Sequence, residues 1–198
     1  MADILTDYIT VGSCALHLLV AGKQGARDIV LLHGLKFQAA TWQELGTLNV
    51  LAANGCHAIA LDMPGFGKSP TCDEEPAAVL GGVIDRKTAG KPVILGPSMG
   101  GRIALEFVIA HPQQVSALIL VGAVGIEENR KRLAEIKVPT LLIWGGEDQI
   151  SPLDNSDILL AEIAGSARRV IKGAPHPCYL DQPEIFHAAV QDFLDSLS

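Results

Sequence analysis

The hexapeptide GPSMGG at residues 96–101 lies between an apolar run, PVIL (92–95), and an amphipathic stretch, RIALEFVIA (102–110). Glycine-rich turns join strands to helices in many α/β proteins for steric reasons alone. The hexapeptide therefore poses a question: Ser98 is either a nucleophile or a small polar residue in a turn. The order of elements in the rest of the chain is needed to decide between the two.

Strand and helix patterns alternate along the chain. DIVLLHG (28–34) is a short apolar run, and WQELGTLNVLAANG (42–55) has apolar residues at helical spacing, so we expect one helix capped by Thr41. Runs that are apolar almost without alternation fit a parallel sheet with helices on both faces. Five further strands are predicted in HAIALDMPG (57–65), KPVILGPS (91–98), SALILVGA (116–123), VPTLLIWGG (138–146) and ARRVIKG (167–173).

Helical patterns follow each of these strands. We expect helices around Ala77–Lys87 and in MGGRIALEFVIAHP (99–112), EENRKRLAEI (127–136), SDILLAEIAG (156–165) and PEIFHAAVQDFLDSL (183–197). Upstream, YITVGSCALHLLVAG (8–22) predicts a β-hairpin that turns at Gly12 and Ser13 at one edge of the sheet. The dinucleotide motif G-x-G-x-x-G and the phosphate loop G-x-x-x-x-G-K-[ST] are both absent after the early strands.

Composition narrows the class of protein. With 198 residues, 48% of them hydrophobic, and no proline- or serine-rich linker, we expect one α/β domain spanning residues 1–198. The net charge is -7 and only 5% of residues are aromatic, which argues against a nucleic-acid partner. The basic cluster Arg130–Arg132 follows two glutamates and is interpreted as a solvated helix face.

The sequence predicts no membrane span and no metal site. No segment approaches the ~18 apolar residues of a membrane helix, and the N-terminus lacks the basic and apolar pattern of a secretory signal. A cytoplasmic protein in a reducing environment is the resulting expectation. The cysteines have neither C-x-x-C spacing nor companion histidines, so we expect free thiols at Cys14, Cys56, Cys72 and Cys178.

Reactive residues of a parallel sheet lie at the carboxyl ends of its strands, where the loops converge. A serine, an acid and a histidine stand there in that chain order, among His33, Gly34, Asp62, Ser98, Gly122, Asp148 and His176. G-x-S-x-G at a strand-to-helix bend is typical of a nucleophile elbow, in which small residues at Gly96 and Gly100 permit the strained turn. This position favours the nucleophile interpretation of Ser98.

A serine nucleophile needs a base and a group that orients the base. His176 is the candidate base because two prolines bracket it in the loop after the last strand. Asp148 is the candidate acid in preference to its neighbour Glu147, although a turn aspartate is the alternative interpretation. The remaining histidines near strands or on helices are interpreted as structural or surface residues: His17, His57, His111 and His187.

An oxyanion formed at Ser98 would need two preorganised donors. The backbone N–H groups of Met99, after the nucleophile, and Leu35, after an early strand, are the candidates. His33 and Gly34 would support the loop that carries Leu35.

Five segments, LLHG, LDMPGFGKS, GPSMGG, LLIWGGEDQ and GAPHPCYLDQPEIF, stand in the order typical of α/β-hydrolases, and the chain resembles that family over nearly its whole length. Residues 33–55 and 176–184 are similar to the small members called abhydrolase-domain-containing protein fourteen. This resemblance implies a triad of Ser98, Asp148 and His176 that cleaves small acyl esters with no cofactor or metal. It also implies coenzyme A as a possible acyl acceptor, and a possible protein partner.

The segment between the strands at 116–123 and 138–146 is too short for the helical lid that many α/β-hydrolases insert there. We therefore expect an open site and short acyl groups. The leading hypothesis is a serine hydrolase of short-chain carboxylic esters. The alternatives are an acyltransferase or deacetylase that uses coenzyme A, and a non-catalytic interaction module on a hydrolase fold.

Overall fold

A computed structural model describes residues 2–197, which form one α/β domain around an eight-stranded sheet. The strands are β1 (Ile4–Val11), β2 (Cys14–Ala21), β3 (Arg27–Leu31), β4 (Cys56–Leu61), β5 (Val93–Pro97), β6 (Ala117–Val121), β7 (Thr140–Gly145) and β8 (Ser166–Ile171). Their order in the sheet is β1-β2-β4-β3-β5-β6-β7-β8. The β1–β2 and β2–β4 pairs are antiparallel, and every pair from β4 to β8 is parallel.

Helices cover both faces of this sheet. They are α1 (Ala39–Glu44), α2 (Thr47–Ala53), α3 (Pro76–Lys87), α4 (Ser98–Ala110), α5 (Ile126–Asn129), α6 (Leu153–Glu162), α7 (Cys178–Asp181) and α8 (Pro183–Asp195). Successive residues of β3 point to opposite faces: Val30 packs with Phe107 of α4, whereas Ile29 belongs to the cluster that holds Trp42 of α1 and Phe186 of α8. Burial on both faces explains why β4 to β7 are apolar almost without alternation, whereas the edge strand β8 is only partly buried and contains Arg168 and Arg169. The α/β prediction is confirmed.

The N-terminal hairpin forms at the sheet edge as predicted, but the expectation of four free thiols was wrong. Cys14, at the start of β2, forms a disulfide with Cys72, whose Cα atom lies 5.4 Å away. The two cysteines are 58 residues apart in the sequence, and only the fold brings them together. No local sequence pattern therefore indicated the pairing. Cys56 and Cys178 are free and buried. This pairing argues against the expected reducing environment, because disulfides are rare in reducing compartments. The cytoplasmic location stays a prediction from the sequence.

The predicted helix over residues 42–55, with Thr41 as its cap, was also wrong. Two helices occupy the segment, and the break between them falls at Gly46, whose φ of 80° lies in the left-handed region. Thr41 lies inside α1, where its Oγ1 accepts a hydrogen bond from the N–H of Gln38, the residue before the helix, at 3.4 Å. Apolar spacing continued across Gly46 and concealed this break.

The expected helix over residues 127–136 is a short α5 followed by a 3₁₀ helix at Arg130–Glu135. The basic cluster there is solvated as predicted, with exposed ion pairs from Arg130 to Glu127 and from Arg132 to Glu135. None of the helices within residues 2–197 has both the length and the hydrophobicity of a membrane-spanning segment. The same residues contain no group of three or more His, Cys, Asp or Glu placed to bind a metal ion.

Candidate active site

Ser98 lies at the turn from β5 into α4, at the carboxyl end of the sheet. Its φ of 50° makes it the one non-glycine residue with a positive φ among residues 2–197. A side chain in this region costs on the order of 1–3 kcal/mol, and such strain concentrates at functional sites.

The glycines around Ser98 are required by close backbone approach. A Cβ atom at Gly96 would lie 2.4 Å from the carbonyl oxygen of Gly100, and one at Gly100 would lie 2.7 Å from that of His33. A Cβ atom at Gly101 would lie 2.6 Å from the Cβ of Ala123, after β6. The elbow therefore packs against the loops after β3 and β6 with no space for a side chain.

Asp148, in the loop after β7, is held by three hydrogen bonds. Its Oδ1 accepts from the N–H groups of Ile150 and Ser151 at 2.9 and 2.8 Å, and its Oδ2 accepts from Nδ1 of His176 at 2.7 Å. Asp148 is buried, whereas Glu147 is exposed and takes no part in this pair. Because Nδ1 of His176 donates to the carboxylate, its Nε2 is the nitrogen left to accept a proton.

One cavity of about 390 Å³ contains both Ser98 and His176. No hydrogen bond joins Ser98 Oγ to His176 in the described part of the chain, and such contacts are often long before substrate binds. The cavity is lined by Gly34, Leu35, Lys36, Phe37, Pro97, Ser98, Val121, Ile150, His176, Pro177 and Tyr179.

The two candidate oxyanion donors are the backbone N–H groups of Leu35 and of Met99, the residue after Ser98. Leu35 lines the cavity, and its N–H donates to no acceptor within residues 2–197. Met99 lies in the first turn of α4, where backbone N–H groups have no partner inside the helix. Neither N–H group donates to a backbone acceptor within residues 2–197, as an oxyanion donor requires.

His33 fixes the loop that carries Leu35. Its Nδ1 donates to the carbonyl oxygen of Gly34 at 2.9 Å, and its Nε2 accepts from the N–H of Met63 at 3.1 Å. Burial lowers the pKa of His33, so the ring stays neutral and keeps both bonds. Gly34 is close to the elbow, since a Cβ atom there would lie 3.6 Å from the Cβ of Ser98.

Asp62 stands at a strand end but belongs to the support of the same loop. Its Oδ1 accepts from the N–H of Ala39, at the start of α1, at 2.6 Å. Its Oδ2 accepts from Nδ1 of His17 at 2.7 Å and from the N–H of Lys68 at 2.9 Å. His17 is thus a structural histidine, as predicted. Asp62 also holds the loop after β4 in place.

Sequence reasoning missed two polar residues of the cavity, Lys36 and Tyr179. Each adjoins a segment that was recognised, since Lys36 follows Leu35 and Tyr179 comes three residues after His176. Cys178, the residue before Tyr179, is buried, and burial is the main reason why the pKa of this thiol rises to about 12. Cys178 therefore stays protonated and packed.

Comparison with known proteins places this geometry in a family. The family model for the alpha/beta hydrolase fold matches residues 29–134. The chain belongs to the α/β-hydrolase fold family. A solved structure of a predicted CIB-like hydrolase from Thermoplasma acidophilum superposes with a TM-score of 0.94 at 26% identity, covering 98% of this chain and 99% of that one.

Within this family the chain is similar to the abhydrolase-domain-containing 14 proteins. ABHD14B of Homo sapiens, named as a candidate protein-lysine deacylase, is 35% identical over 182 residues, which cover 88% of this chain and 86% of that protein. ABHD14A of Danio rerio is 36% identical over 176 residues, which cover 86% of this chain and 65% of that protein. The resemblance predicted from residues 33–55 and 176–184 is confirmed.

Proposed function

We propose that this protein is a serine hydrolase that cleaves short-chain carboxylic esters through an acyl-enzyme intermediate. One observation carries the proposal: Ser98, at a strained elbow, shares a cavity with His176, whose Nδ1 donates to the buried Asp148. A nucleophile, a base and a group that orients the base are the three parts that acyl transfer from an ester requires.

Acylation begins when Ser98 Oγ attacks the ester carbonyl carbon and its proton passes to Nε2 of His176. Asp148 stabilises the resulting imidazolium through Nδ1. The tetrahedral oxyanion accepts hydrogen bonds from the N–H groups of Leu35 and Met99. The carbon–oxygen bond to the alcohol then breaks, and His176 returns the proton to the departing alkoxide, which leaves an acyl-serine.

Deacylation repeats these steps with water. His176 removes a proton from water, the hydroxide oxygen attacks the acyl carbon, and the same two N–H groups bind the second oxyanion. The acyl–oxygen bond to Ser98 then breaks, His176 protonates the serine oxygen, and a carboxylic acid is released. Water and ester are the only reactants, and the enzyme is regenerated.

The preference for short acyl groups rests on how little chain covers the cavity. Residues 122–139, between β6 and β7, form only α5, the 3₁₀ helix and their turns. At the cavity, Leu35 and Ile150 are 63% and 66% exposed, so the apolar wall ends near the surface. A long acyl chain would remain largely in water. Each further CH₂ group would then fail to contribute the stabilisation of about 0.8 kcal/mol that its burial provides.

The relationship to ABHD14B favours a second candidate function, deacylation of an amine with transfer of the acyl group to a thiol such as coenzyme A. Both reactions pass through the same acyl-serine. They differ in the leaving group and in whether water or a thiol attacks second. The acceptor is therefore a separate question from the nucleophile.

A series of 4-nitrophenyl esters from acetate to octanoate tests both candidates, with the wild type, Ser98→Ala and the control Ser116→Ala. Ser116 is exposed and stands at the opposite end of the sheet, before β6. We expect kcat/KM to be highest for acetate to butyrate and to be lost only in Ser98→Ala. Repeating the series with coenzyme A and measuring acyl-coenzyme A identifies the acceptor. Full activity in Ser98→Ala would contradict the proposal.

A further inference from the structure

Lys36 and Tyr179 line the cavity but have no part in the proposed triad or oxyanion hole. Lys36 is exposed and forms no ion pair within the described residues. Tyr179 is only 3% exposed. These side chains supply a cation and a hydroxyl that the proposed chemistry does not use.

The hydroxyl of Tyr179 is free to bind a ligand. The ring is packed against Trp42 and Phe186, with ring centres 5.2 and 5.9 Å away, so its position is fixed. Its hydroxyl oxygen makes no side-chain hydrogen bond within residues 2–197, and it is not one of the unpaired atoms buried out of reach of solvent. Since Tyr179 lines the cavity, we infer that the hydroxyl faces it. Burial raises the pKa of Tyr179, so the group remains a donor.

The rest of the cavity wall offers little that could neutralise Lys36. No aspartate or glutamate side chain lines the cavity, and the wall is otherwise glycine and apolar or aromatic residues apart from Ser98 and His176. The chain as a whole carries a net charge of -7, which repels anions. An anionic ligand in the cavity therefore needs a nearby cation such as Lys36. In a pocket of this type a few polar groups set the orientation of the ligand.

We propose that Lys36 and Tyr179 form a subsite for a carboxylate carried by the substrate, so that the preferred esters are anionic. This inference rests on the proposed function, because the reacting ester and the carboxylate occupy the same cavity. The Lys36 ammonium provides a charge-assisted hydrogen bond and the Tyr179 hydroxyl a second one from a fixed position. The carboxylate is carried either on the acyl group or on the alcohol.

Matched pairs of esters separate these two positions. Monomethyl glutarate and methyl pentanoate differ in a carboxylate on the acyl side; 4-acetoxybutanoate and butyl acetate differ in one on the alcohol side. We expect kcat/KM to be roughly tenfold higher for the anionic member of one pair, as one charge-assisted hydrogen bond provides. The preference should decrease as NaCl is raised, because exposed charges are screened.

Variants assign that preference to the two side chains. The ratio of anionic to neutral kcat/KM should decrease to near one in Lys36→Met and severalfold in Tyr179→Phe. The control Lys23→Met removes a lysine before β3, at the other end of the sheet, and should keep the wild-type ratio. Wild-type ratios near one for both pairs, or a ratio that Lys36→Met leaves unchanged, would overturn the subsite.

A binding measurement tests the subsite without turnover. In Ser98→Ala, we expect calorimetry to give a lower Kd for monomethyl glutarate or 4-acetoxybutanoate than for its neutral partner, and Ser98→Ala/Lys36→Met to remove the difference. If the wild type hydrolyses no ester but this difference is found, the proposed function fails and the subsite stands. If neutral esters are hydrolysed through Ser98 and no difference is found, the subsite fails alone.

Discussion

Nδ1 of His176 lies 2.7 Å from Oδ2 of Asp148, and the other oxygen of Asp148 accepts two backbone N–H groups. The carboxylate is therefore fixed by the loop after β7 before any substrate binds. With Nδ1 bound to this carboxylate, Nε2 is the nitrogen of His176 that remains free to accept a proton.

Asp148→Asn should reduce kcat by about 10³- to 10⁴-fold, because an amide can favour the wrong tautomer of His176. The asparagine oxygen can still accept the N–H groups of Ile150 and Ser151, so we expect the circular dichroism spectrum to be unchanged. The matched control is Glu147→Gln at the exposed neighbouring residue, which should retain activity within about threefold. Equal losses in both variants would contradict the assignment.

Gly101→Ala should destabilise the fold, since its new Cβ would lie 2.6 Å from the Cβ of Ala123. Overpacking of this kind costs about 1–3 kcal/mol in the free energy of unfolding. Gly90→Ala is the control, because a Cβ at that position would have no heavy atom within 4 Å beyond its chain neighbours. Urea denaturation should separate the two variants; equal stability would mean that the elbow is less tightly packed than described.

The disulfide between Cys14 and Cys72 predicts a thiol count. Titration with a thiol reagent in denaturant should find two free thiols without reductant and four after reduction. Cys14→Ser should reduce the free energy of unfolding by about 2–4 kcal/mol under oxidising conditions, because the bond closes a long loop. Four reactive thiols in the unreduced protein would contradict the pairing.

The free energy of unfolding should decrease as the pH is lowered, because the buried His33 becomes protonated more readily in the unfolded chain. Burial lowers its pKa in the folded protein, whereas the unfolded side chain titrates near pH 6.5. The unfolded state thus binds more protons below about pH 6.5, and the stabilisation present at higher pH is lost as the pH decreases. In His33→Gln the slope of the unfolding free energy between pH 7 and 5 should be smaller by up to about 1.4 kcal/mol per pH unit. An unchanged slope would exclude His33 as the cause.

Much of this molecule could be predicted from the sequence, because its signals are local. The strands that are buried on both faces are continuous apolar runs, and Ser98 and Asp148 each follow such a run. His176 follows β8, a partly exposed edge strand that contains two arginines, and was found from the prolines on either side of it. The break at Gly46 was missed because apolar spacing continues through it. The apolar pattern also did not indicate that residues 130–135 form a 3₁₀ helix.

Other features depend on tertiary contacts that no local pattern encodes. Cys14 and Cys72 meet only because the loop after β4 returns to the start of β2. Lys36 lies in the loop after β3 and Tyr179 lies in α7 after β8, and only folding brings them to one cavity.

Labelling with a fluorophosphonate probe tests the central claim most directly. The proposed mechanism predicts one probe per chain by intact mass spectrometry, attached at Ser98, with no labelling of Ser98→Ala and normal labelling of the control Ser116→Ala. Labelling should also be strongly slowed in Asp148→Asn, since the serine then lacks a correctly oriented base. No adduct on the folded wild type, or an adduct that persists in Ser98→Ala, would contradict the claim that Ser98 is an activated nucleophile.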